Sequence, residues 1–147
     1  MVGDVMFVCG LPFFITRWRN IRFITAQYRP RRTAKLLCNA LKNILKSYQR
    51  AGFVVQTCLM DNEFEPLKEM MSDTLVINTI AKNGHVGEIE RMIRTINDKS
   101  RCIFSDFKEI GVTPLPYAVI KALIKFVAMW NNAIFFDTRS VARVVAL

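Results

Sequence analysis

The 147 residues are 52% apolar and 22% charged, which suits one packed domain, is cramped for two, and excludes long disorder or low-complexity tails. The formal net charge of +9 comes from 21 Lys and Arg against 12 Asp and Glu, a surplus that points to a polyanionic partner rather than a small-molecule substrate. All of it lies in residues 1–60, which hold ten basic residues and a single acid, Asp4; residues 61–147 are neutral.

Three strands are predicted first. Asp4–Val8 is short and can turn at Cys9-Gly10 into Leu11–Trp18. Ile21–Tyr28 follows, with Ile21, Phe23 and Thr25 alternating against Arg22 and Ile24, until Pro30 breaks the pattern. A helix is expected over Thr33–Arg50. Leu37, Leu41, Ile44 or Leu45, and Tyr48 share one face, Thr33 is a candidate N-cap, and Gly52 is a stop. Phe53–Met60 is a continuous apolar run, as in a strand buried on both faces. Pro66 opens a short helix ending near Ser72, and Leu75–Ile80 reads as a fifth strand. Asn83-Gly84 marks a loop. A helix over Val86–Phe104 places Ile89, Met92, Ile93 and Ile96 on one side, and a last helix covers Leu115–Phe135. The order β-β-β-α-β-α-β-α-α predicts an α/β fold, a five-stranded mixed sheet flanked by helices over residues 1–136, with a short tail over 137–147.

Cys9, Cys38, Cys58 and Cys102 lack metal-ligand spacing with each other or with His85, the one histidine. They are expected to be buried, reduced thiols in an intracellular, reducing compartment. The opening run Met1–Thr16 contains Asp4, Gly10 and Pro12, which makes a poor signal peptide. Ala118–Phe136 carries Lys121 and Lys125, so no membrane span is expected; a surface role on anionic lipid is the most that helix suggests.

Three carboxylates stand out by position. Asp4 begins the first strand in an acid-free region. Asp61 ends the fourth strand, where open α/β sheets usually bind ligands. Glu90 lies on the helix after Asn83-Gly84, with Arg94, Asn97 and Arg101 on its face at helical spacing. If the first and fourth strands are neighbours, Asp4 and Asp61 meet at the sheet centre and a packed helix brings in Glu90. Such acids repel, and hard divalent cations remove the conflict. A pair of them is suited to in-line phosphoryl displacement. The arginines after Glu90 would grip the DNA backbone. A second basic surface, Arg17, Arg19, Arg22, Arg29, Arg31, Arg32 and Lys35, has Trp18 and Tyr28 interleaved, as in surfaces that hold phosphates and stack bases.

Asp61-Asn62-Glu63-Phe64-Glu65 resembles the D-N-x-x-E-F block of retroviral-type integrases. Glu88-Ile89-Glu90-Arg91-Met92-Ile93-Arg94-Thr95 resembles the A-E-R-x-x-R-T block of copia-like retrotransposon integrases. Gly3–Val8 with Cys9–Phe13 is similar to the first-aspartate strand and hairpin of that group, and Trp130-Asn131-Asn132 falls where such chains carry W-L-N. The resemblance implies an RNase H-like fold and a triad Asp4, Asp61 and Glu90 holding Mg²⁺ or Mn²⁺, with Glu88 as the fallback third acid. It implies DNA 3′-end processing and strand transfer by a homo-oligomer, in a nucleus or virus-like particle if the element is eukaryotic. Twenty-eight residues separate Asp61 from Glu90, fewer than in the family pattern. The missing residues fall where Lys82-Asn83-Gly84-His85-Val86-Gly87 stands, and His85 is either a loop residue or a group near the metal site that positions DNA or water. No zinc module precedes Asp4 and no further domain follows the core in this sequence. The expectation is therefore an isolated core, a polyprotein fragment or a decayed copy. The alternative is a nucleic-acid-binding domain of this fold without activity.

Overall fold

Sheet formation starts at a two-residue turn. β1 (Val2–Val8) and β2 (Leu11–Arg17) are antiparallel, with Val8 opposite Leu11. Cys9 and Gly10 between them take φ of 50° and 77°, and such paired positive values let a short hairpin follow the twist of its strands. The computed structural model describes residues 1–31, 33–80 and 87–135. Arg32, His85 and the 137–147 tail therefore lie outside the described residues.

β3 (Ile24–Tyr28) pairs antiparallel with β2. It starts three residues later than its alternation suggests. Arg22 takes a left-handed φ of 52°, and the Trp18 N–H donates to the Phe23 carbonyl at 2.9 Å, closing a turn across that segment. Helix α1 (Ala34–Arg50) begins where Thr33 Oγ1 accepts from the Leu36 N–H at 3.4 Å, the expected cap. It buries Leu37, Cys38, Leu41, Ile44 and Tyr48.

β4 (Thr57–Asp61) is shorter than its apolar run. Phe53 turns its ring onto Trp18 at 5.1 Å, and Val54 is 73% exposed, so residues 53–56 carry the chain from α1 to the sheet. Only Cys58 and Met60 of the strand are fully buried, which corrects the expectation of burial on both faces. A 3-10 turn (Asn62–Phe64) and α2 (Pro66–Met71) follow, then β5 (Val76–Ile80).

Helix α3 (Gly87–Glu109) runs five residues beyond the expected end at Phe104. It stops at Gly111, whose φ is 78°. The Val112 N–H reaches back to the Phe107 carbonyl and the Gly111 N–H to that of Lys108, a Schellman closure. α4 (Tyr117–Phe135) ends the described chain.

The five strands lie in the order β3-β2-β1-β4-β5, with β1–β4 and β4–β5 parallel and the rest antiparallel. The element order and the mixed sheet are those expected from the sequence. Side chains alternate across the sheet. Phe14 and Met60 pack with Trp18, Tyr48 and Phe64 beneath α1 and α2, while Val2, Met6, Phe13 and Ile15 pack with Ile89, Ile96 and Ile124 of α3 and α4.

All four thiols are free, but only Cys38 and Cys58 are buried; Cys9 and Cys102 are exposed, Cys9 because it forms the hairpin turn. Among the described residues no helix is long and apolar enough to cross a membrane.

Candidate active site

Strand parity fixes the direction of two acids. On β1, Val2 and Met6 face α3 and α4, and Asp4 lies between them with the same parity. On β4, Leu59 packs in that same layer, and Asp61 is two residues on. The parallel register pairs Val2 with Leu59 and Gly3 with Met60; one step further brings Asp4 beside Asp61. The opposite face of this seam is closely packed: a Cβ at Gly3 would meet Met60 Cε at 3.2 Å and the Ile15 carbonyl at 3.5 Å. Asp61 precedes the 3-10 turn without spending its carboxylate on a cap. The buried Phe64 pins that turn to the core.

Glu90 arrives from α3, which is anchored one residue earlier by the buried Ile89. Gly3, Asp4, Asp61, Ile89 and Glu90 line one cleft of about 10 Å³, close to the room one water needs. Asp4 Oδ1 accepts from the Val5 N–H at 2.7 Å. The donor set is all carboxylate oxygen, the chemistry Mg²⁺ and Mn²⁺ prefer. It is not drawn together for coordination: among the described residues no three His, Cys, Asp or Glu side chains are placed to hold a metal ion.

A groove of about 320 Å³ leads from this cleft along α3, lined by Asp4, Glu90, Ile93, Arg94, Asn97 and Arg101. The helical spacing read from the sequence thus places carboxylate, guanidinium and amide on one wall. Arg101 is largely solvent-facing and pairs loosely with Asp98 at 3.6 Å.

Glu88 has a different partner set. Its Oε1 accepts from Arg17 Nη1 at 2.8 Å and its Oε2 from Arg19 Nε at 2.7 Å. It ties α3 to the end of β2 and does not line the acid cleft. Arg17 and Arg19, expected to hold DNA, are thereby engaged by an acid; the Arg17 side chain is only 20% exposed.

Arg22 lies in the turn before β3, whereas Arg29 and Arg31 follow its far end, and Lys35 is in the first turn of α1. The five residues of β3 separate the two groups by roughly 16 Å. Trp18 is not available for base stacking, because it is buried against Tyr48 and Phe53 at 5.0 and 5.1 Å. Tyr28 is half-buried against Phe13.

Glu65 and Asn132 lie inside blocks singled out in the sequence, but their structural duties are set by distant partners. Glu65 accepts from Thr79 Oγ1 at 2.6 Å and pairs with Lys68 at 2.9 Å, joining the segment after Asp61 to β5. The Thr79 hydroxyl, and then Lys68, hold its carboxyl below the usual range. Asn132 of α4 donates to the Ile24 carbonyl and accepts from the Ile24 N–H, each at 2.8 Å.

No protein-family model and no curated protein matches the chain. Solved structures do. The catalytic core domain of BIV integrase superposes with a TM-score of 0.59 at 15% identity, over 87% of this chain and 79% of that one. A chain of the simian T-cell lymphotropic virus intasome, solved in complex with the PP2A regulatory subunit B56 gamma, superposes with a TM-score of 0.63 at 17% identity, over 88% of this chain and 46% of that one. The fold is that of a retroviral integrase catalytic core. At these identities the likeness is one of backbone path, the RNase H-like arrangement in which a mixed sheet is flanked by helices.

Proposed function

We propose that this chain is a divalent-metal-dependent polynucleotidyl transferase core of the copia-like integrase type, which processes DNA 3′ ends and joins them to target DNA. The observation that carries this reading is the shared cleft of Asp4, Asp61 and Glu90, drawn from β1, β4 and α3 of an integrase-core fold. These three residues would hold Mg²⁺ or Mn²⁺, which when bound offsets their mutual repulsion and stabilises charge on the oxygens that exchange at phosphorus.

The chain's own residues supply placement. Arg94 and Arg101 donate to backbone phosphates and Asn97 to phosphate or sugar oxygens, so the scissile bond is held at the end of the groove where Asp4 and Glu90 lie. A DNA strand along α3 would run from the cleft past these three side chains. The nucleophile is water in end processing and a DNA 3′ hydroxyl in strand transfer. Self-association is supported by exposed Phe126, Met129 and Trp130 on α4, an apolar surface of the kind that oligomers cover. The free thiols suit a reducing, intracellular setting.

The alternative, a nucleic-acid-binding domain of this fold without activity, is favoured by acids that share a cleft without being placed for coordination. Oligonucleotide nicking and joining with Mn²⁺ decides between them. The transferase reading expects activity that Asp61→Asn abolishes while salt-sensitive DNA binding persists. Binding with no divalent-dependent cleavage in the parent favours the alternative, and equal loss of binding and cleavage makes Asp61 structural.

A further inference from the structure

We propose that the outer edge of strand β3 accepts an extended acidic peptide, which adds as a further strand in the groove between β3 and α4. This surface is separate from the acid cleft and does not depend on the reading given to it. β3 is the last strand on its side of the sheet. Ile24, opposite Arg17, turns its N–H and carbonyl away from β2 and onto the Asn132 amide. Backbone polarity alternates along an antiparallel strand, so Ala26 and Tyr28 aim their N–H and carbonyl groups the same way. Among the described residues no hydrogen bond meets those four groups. Asn132 does at one position what a neighbouring strand would do at three.

The space beside this edge is about 580 Å³ and is walled by Ile24, Tyr28 and Met129 with Arg29, Lys121 and Lys125; no carboxylate lines it. Lys121 Nζ lies 4.2 Å from the Tyr28 ring centroid. Arg29 donates to Gln27 Oε1, yet its Nε is buried with no partner. Cations and an open row of peptide donors and acceptors thus occur together.

That combination selects the occupant. A peptide strand offers N–H and C=O in alternation and can satisfy both kinds of group on β3. Phosphates offer acceptors only and would leave the Ala26 and Tyr28 carbonyls unmet. A second copy paired edge to edge about a two-fold axis would bring Arg29, Lys121 and Lys125 of each protomer against the same cations of the other. An extended segment carrying carboxylates and β-branched residues meets the backbone, the apolar wall and the charge together.

Fluorescence anisotropy of the full chain with a short fluorescein-labelled peptide of alternating glutamate and valine tests this. Saturable binding is expected, and Lys125→Glu should weaken it about tenfold or more. N-methylation of alternate peptide amides should weaken it comparably. Ala26→Pro removes an outward N–H without touching the β2 pairing, a change that edge strands tolerate, and should also weaken binding about tenfold. Circular dichroism checks that this variant folds; if it does not, Lys125→Glu and the methylated peptide still decide. Equal binding of the methylated peptide, or of a lysine–valine peptide, overturns the proposal. So does a DNA duplex that depends on Lys125 where the peptide fails to bind, and so does a dimer in sedimentation that Ala26→Pro dissociates.

Discussion

Asp4 and Asp61 lie side by side on adjacent parallel strands, one register step beyond the Gly3–Met60 pair and on the sheet face that α3 covers. This relationship follows from strand order, since β1 is hydrogen-bonded to β4 although more than fifty residues separate the two aspartates. It makes Glu90, rather than Glu88, the third acid at the same cleft.

Glu88→Gln and Glu90→Gln should therefore behave differently. Glu88 braces Arg17 and Arg19 in a half-exposed network, and its loss should lower stability by about 1 kcal/mol while leaving metal-dependent cleavage near the parent level. Glu90→Gln should remove cleavage. Urea denaturation and an oligonucleotide assay on both variants check the pair.

Asn132 carries the junction of α4 with the sheet edge through two buried bonds to Ile24. Asn132→Ala should destabilise the chain by about 2 kcal/mol, because it removes both bonds and leaves the Ile24 groups unmet. In chemical denaturation near neutral pH, Asn132→Asp should destabilise at least as much as the alanine variant, because it sets a buried carboxylate oxygen against the Ile24 carbonyl that the Asn132 amide now serves.

The buried thiol at Cys58 predicts alkaline sensitivity. Burial pushes its pKa up from the ordinary 9.0 to about 12, and burial likewise raises Tyr48. The folded state keeps the Cys58 proton where the unfolded chain releases it. Stability from this group is therefore complete below pH 9 and is lost as pH rises from 9 toward 12, at up to about 1.4 kcal/mol per pH unit. Cys58→Ala should flatten that decline in urea melts taken across the interval.

Arg94 and Arg101 occupy the groove that leaves the acid cleft. Replacing either by Ala should lower the slope of log affinity against log salt for duplex DNA by about 1. Arg17→Ala should change that slope little, since its guanidinium is largely buried, held by Glu88 and not part of the groove wall. Anisotropy titrations at several salt concentrations separate the two cases.

Much of this architecture was legible in the sequence where local chemistry settles it. Cys9-Gly10 marks the hairpin, Thr33 and Gly52 bracket α1, and the isoleucine stripe of α3 names its buried side. The Glu90-Arg94-Asn97-Arg101 wall was readable because helical spacing alone puts those side chains on one face. Other features depend on distant partners. Arg22 could bend into a left-handed turn or continue a strand, and only the Trp18–Phe23 closure decides. Glu88 and Glu90 lie about 200° apart on the helix wheel, and nothing local says which one meets the sheet. Trp18 among arginines looks like a stacking platform until Tyr48 and Phe53, from α1 and the segment after it, enclose it.

A crystal structure of the chain soaked with Mn²⁺, with the ion located by anomalous scattering, tests most directly whether Asp4, Asp61 and Glu90 hold a metal. An anomalous peak is expected in the cleft, bonded to carboxylate oxygens of Asp4 and Asp61 and reached by Glu90. Full occupancy of Mn²⁺ at other carboxylates, with this cleft empty at saturating metal, would contradict this expectation.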